Sequence, residues 1–211
     1  MPTQKTMEFL SPETVRIYTQ ILDFMETAYM KCGAYRDGQL SEERPIDVLV
    51  LNFTKVVNDC RAILLLVQQG FYIQAGILCR STDDACNLMM HVAFEGENAI
   101  LLPKWLHGQR LTHWQIMEQL NRHLGKQLHL QSYEATRRKL DDFVHANYLA
   151  LQLYPAQSPG STALDNKSFS RITFWKGLLQ LFIVSCLLCV PLFVPDLQRD
   201  ANSYLSLLGA E

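Results

Sequence analysis

The sequence predicts an all-α protein, one domain over residues 1–211, folded as a multi-helix bundle around a central apolar helix at about 71–95. Three observations predict it. Apolar residues recur at helical spacing in at least five segments. No segment sustains the two-residue alternation of a half-buried strand. No internal repeat divides the chain. Of the 211 residues, 48% are apolar and 19% charged, which supplies a core and excludes a chain held open by its own charge.

The first helix runs through "SPETVRIYTQILDFMETAYMKCG". Ser11 is a natural N-cap, Pro12 suits the first turn, and Gly33 offers a stop. Val15, Tyr18, Ile21, Leu22, Met25 and Tyr29 form its apolar face. A polar connection leads to a second, more apolar helix over 46–69, which Gly70 ends. The third, "FYIQAGILCRSTDDACNLMMHVAF", is apolar in nearly every direction, the signature of a helix surrounded by others. Pro103 breaks the next stretch into short helices around Trp105 and Trp114. A further helix starts at Ser132 and carries Leu140, Phe143, Val144, Asn147 and Leu151 on one face. Residues 154–168, rich in Pro, Ser and Gly, read as a flexible loop before an apolar C-terminal helix. A short helix around Tyr204–Leu208 follows.

The run 177–195 is long and apolar enough to raise the question of a membrane. Gln180, Ser185 and Pro191 interrupt it, and no basic cluster flags a cytoplasmic side. A buried core or dimer helix is the expectation, with a membrane span as the other reading. The formal net charge of −2 argues against holding duplex DNA by bulk charge, though it leaves room for a local basic patch. Six cysteines, Cys32, Cys60, Cys79, Cys86, Cys186 and Cys189, sit among apolar residues. They read as buried reduced thiols in a cytoplasmic protein. Cys186 and Cys189 have C-x-x-C spacing but lack the turn and second ligand pair of a zinc knuckle. The N-terminus has no long apolar stretch, so no signal peptide is expected.

Two places hold reactive side chains close together. Arg80 and Asp84 are four apart, so they meet on one helix face, and His91 extends the same stripe. They form either a buried structural ion pair or the floor of a ligand-binding pocket; the buried pair is expected. In "RRKLDDFVHANY", Arg138, Asp142 and His145 lie opposite the apolar face of their helix. Arg138 would repel a cation, and one His with one Asp is at most half a ligand set, so no metal and no cofactor are expected. His107, His113, His123 and His129 show no H-E-x-x-H spacing. Phosphate-binding, dinucleotide-binding and nucleophile-elbow glycine motifs are absent from the sequence.

"GFYIQAGILCRSTDDACNL" resembles a helix of poorly characterised bacterial helical proteins, marked by Gly, a later Ala, then Arg and an acidic residue four further on. "LDDFVHANY" resembles their later helix, which often ends in His. Some of these proteins stand near the HEPN domains and the abortive-infection proteins. Arg138, six residues, then His145 matches the HEPN spacing of Arg, four to six residues, His. The likeness spans roughly residues 46–155. Lys139 stands where a small polar residue is frequent, and Asp84 where Glu is usual. The resemblance implies a homodimeric helical bundle that cleaves RNA without a metal, as a toxin or defence component with an antitoxin or other partner protein. It implies that His145 moves a proton and Arg138 stabilises phosphate charge. The alternative is a non-catalytic helical dimerisation or interaction protein.

Overall fold

The computed structural model describes residues 10–33, 37–38, 44–107, 109, 111–124 and 165–209. Among them there are seven α-helices and no strand. The helices are α1 Pro12–Lys31, α2 Pro45–Gln68, α3 Tyr72–Glu95, α4 Leu102–Leu106, α5 His113–Leu124, α6 Asp165–Phe193 and α7 Gln198–Leu207.

Local chemistry sets several of the ends. Ser11 Oγ accepts the Thr14 N–H at 3.1 Å and Pro12 follows at the first helical position, as the sequence suggests for α1. Pro45 opens α2, with Arg44 Nε donating to Asp47 at 2.6 Å. Asp47 is buried in the first turn, where the helix dipole favours a negative charge. At the other end of α2, Gly70 adopts φ +81°, a conformation costly for residues with a Cβ. The Gly70 N–H donates to Val67 and the Phe71 N–H to Leu66, which satisfies two carbonyls of the last turn and turns the chain sharply into α3. Pro103 falls in the first turn of α4, where its missing N–H costs nothing.

The four long helices form one core. α2 is packed on by α1, α3 and α6; α6 also meets α1, α3 and α7. Phe53, Phe182, Ile21, Leu22, Met25, Leu49, Ile63, Met89, Leu179, Ile183 and Leu187 are fully enclosed there. Phe53 of α2 meets Phe193 of α6 edge to face at 4.9 Å between ring centroids. α5 covers the C-terminal half of α3, where Met90 packs against Leu101 and Ile116.

α6 starts earlier than the sequence suggests. Asp165–Ser168, the last four residues of the expected loop, belong to its first turns. Pro159 and Gly160, which oppose helix, lie upstream of that start. The stretch Phe174–Phe193 is long and apolar enough to cross a membrane, and half of it is buried inside the protein. Pro191 stands in the final turn, where it forfeits little of the helix's bonding.

Phe182→Ala should lower unfolding free energy by on the order of 3–5 kcal/mol, since the site is fully buried between helices. Leu65→Ala, at a position 58% exposed on α2, should change it by about 0.5 kcal/mol or less. Urea titrations of the two variants against the parent check the contrast.

Candidate functional site

Arg138, Asp142 and His145 lie outside the described residues. The other candidate group, on α3, does not have the arrangement expected of it. Arg80 Nη1 donates to the Asp84 carboxylate, as four-residue spacing requires. The pair sits at the surface, however: the Asp84 side chain is 50% exposed and that of Arg80 21%. The expectation of a buried structural pair is therefore corrected. One side of α3 is open to solvent, where Gln74, Ile77, Ser81 and Asp84 are exposed; α5 packs on the helix further along, at Met90. His91, two turns along the stripe, is fully buried. The stripe thus runs from solvent into the core instead of along one wall.

A second polar row on α3 shares His91 with this stripe, adds Asp83 and Asn87, which were not singled out from the sequence, and is almost wholly enclosed. Asp83, Asn87 and His91 follow one another at four-residue steps and are all buried. Thr82, also buried, donates to Asp59 of α2 at 3.0 Å, and Asp59 is paired with Lys55. Asn52 of α2 donates to its own helix at Val48 O, 2.8 Å. The four-residue steps were visible in the sequence; that they face inward was not, because polar spacing alone does not show which side a neighbouring helix covers.

Beside this row, five thiols from three helices share the interior: Cys60 of α2, Cys79 and Cys86 of α3, and Cys186 and Cys189 of α6. All six cysteines of the chain are free and buried, as the sequence suggested. Burial pushes the Cys86 thiol up to about 12; a hydrogen bond with Ser185 opposes this and the nearby Asp83 charge adds to it. Burial likewise raises Cys60 and Cys186 well above the ordinary value, reinforced by neighbouring thiols. Cys79 and Cys189 move the same way for the same first reason. A protonated, enclosed thiol is neither a nucleophile nor a metal ligand at neutral pH. Among the described residues no three His, Cys, Asp or Glu side chains are arranged to hold a metal ion.

The remaining feature is apolar and open. α6 turns Leu178, Leu179, Phe182, Ile183, Leu187 and Val190 inward, while Leu181, Leu188 and Leu192 are 42%, 50% and 48% exposed. A row of large apolar side chains on one helix differs from the singly scattered ones normal on a surface. No family model, curated protein or solved structure matches the chain.

Two outcomes follow. Arg80→Met and Asp84→Leu should each shift unfolding free energy by about 1 kcal/mol or less, as for other partly exposed ion pairs, in thermal melts of both variants. Stability should also fall at alkaline pH. Above the ordinary thiol value of 9.0 the unfolded chain releases protons that folded Cys86 keeps until about 12. The folded state then binds more protons, so stability is full below about pH 9 and declines by roughly 1 kcal/mol per pH unit for each such thiol. Urea midpoints between pH 7.5 and 10.5 measure the slope, and Cys86→Ala should make it shallower.

Proposed function

We propose that the chain is a helical interaction protein whose working surface is the open row on α6. The observation that carries this is the exposure of Leu181, Leu188 and Leu192 on a helix whose other side packs into the core. Leaving three leucines half in water forgoes hydrophobic stabilisation that a partner would supply. The described candidates for chemistry support the same direction: the thiols and His91 are enclosed, and Arg80 is paired with Asp84. The six free thiols fit a reducing, cytoplasmic setting. A photo-reactive amino acid placed at Leu188 in living cells should give protein adducts, and one at Leu207, 56% exposed on α7, should not. Lipid adducts alone, or none, at position 188 would overturn the proposal.

The spacing of Arg138 and His145 favours a second reading, a HEPN-like bundle centred on 71–95 that acts as a metal-independent endoribonuclease or defence component. There two copies would bring both Arg-His sets to one RNA, with Asp142 on the same face and a partner protein or antitoxin restraining the activity. His145 would carry the proton and Arg138 the phosphate charge. His145→Ala should then abolish RNA cleavage or toxicity and leave the circular dichroism spectrum unchanged. Full activity in that folded variant would end the ribonuclease reading.

A further inference from the structure

Building on the interaction surface proposed above, we infer that its occupant is the same helix of a second copy, packed antiparallel in a heptad seam. Positions 177, 181, 184, 188 and 191 follow one another at steps of four, three, four and three. That is the 3.5-residue period of helix-on-helix packing. Gly177, Leu181 and Leu188 are exposed, and Val184 and Pro191 are half-buried. The positions between them that face the bundle are closed: Leu178, Leu179, Phe182, Ile183, Ser185, Cys186, Leu187, Cys189 and Val190. The open side of α6 is therefore a coiled-coil seam two heptads long, uncharged throughout.

The seam complements itself. In antiparallel packing the two kinds of heptad position face each other. With the two-fold axis between Phe182 and Ile183, Leu188 of one copy lies over Gly177 of the other, and Leu181 lies against Val184. A large side chain thus meets the residue without one, and four of the five seam positions pair among themselves, while Pro191 falls opposite Phe174. A bilayer fits less well. The buried half of the helix, with Ser185 enclosed and Gln180 donating to Leu208 O at 2.9 Å, is committed to the protein. Asp196 and Asp200 stand with Arg199 on the surface beyond its end, so this flank has no positive excess, whereas interfacial helices are rich in Lys and Arg. With two exposed leucines over two heptads, the seam is small beside the roughly 800 Å² per partner of a standard stable interface. The dimer is accordingly weak and dissociates on dilution.

Sedimentation of the purified chain should show a monomer–dimer equilibrium, and Leu181→Glu with Leu188→Glu should be monomeric with the parent's melting temperature. Gly177→Cys and Leu188→Cys chains, mixed and mildly oxidised, should form a mixed disulfide, while each alone should not cross-link. The native cysteines are buried and stay out of the reaction. A parent that stays monomeric at all concentrations, a dimer that survives the double Glu change, or self-cross-linking of Leu188→Cys alone would each overturn the inference. Should the double Glu variant fail to fold, the cysteine mixture decides. Photo-adducts at position 188 to other proteins from a monomeric chain would leave the interaction surface standing and remove only the self-pairing; absence of any adduct removes both.

Discussion

Apolar contact between α6 and the three N-terminal long helices sets the geometry of everything else described. Phe182, Ile183, Leu187 and Val190 reach the interior from one side, and Leu49, Phe53, Ile63 and Met89 from α2 and α3. Burying such side chains is worth roughly 1.5–3 kcal/mol each, far above any surface ion pair in the molecule. Arg61, held between Asp23 and Glu26, joins α1 to α2 at the surface and adds little beside that core. The contact also fixes which side of α6 is left over. Once one face is committed to the core, the opposite row of leucines has nowhere else to go.

The polar groups enclosed with this core follow the same logic. Buried hydroxyls and amides are tolerable where they are hydrogen-bonded, and Thr82, Asn52 and Cys86 each have such a partner within or between helices. Cysteine serves here as a small apolar filler at the meeting of α2, α3 and α6, where larger side chains would force the helices apart. The interior is thus built for close approach of helices, and reactivity is suppressed by the same enclosure.

Helices were legible in the sequence because their apolar period is local. So were Ser11 and Pro12 at the start of α1 and Gly70 after α2, since caps and positive φ depend on a few neighbouring residues. The start of α6 was not, because Asp165–Ser168 carry no apolar signal that periodicity could register. Spacing predicted that Arg80 meets Asp84, but their exposure depends on how far α5 extends over α3, a fact about residues about thirty or more positions away in sequence, from His113 onward. The open row on α6 was hidden for the opposite reason. A helix apolar on all sides gives no hint of which side its own chain will cover.

The chain order of these contacts has a consequence for synthesis. Tyr18 of α1 donates to the Lys176 carbonyl of α6 at 3.3 Å, across 158 positions of sequence. A ribosome makes about 5–20 residues each second, so α1, α2 and α3 wait several seconds before their fourth wall arrives. During that interval the surfaces that will receive Phe182 and Ile183 face solvent. Nascent chains in that state are the ones that associate wrongly or recruit chaperones. The last long helix therefore acts as a closing step in time as well as in space, and slow translation upstream of residue 165 prolongs the vulnerable period.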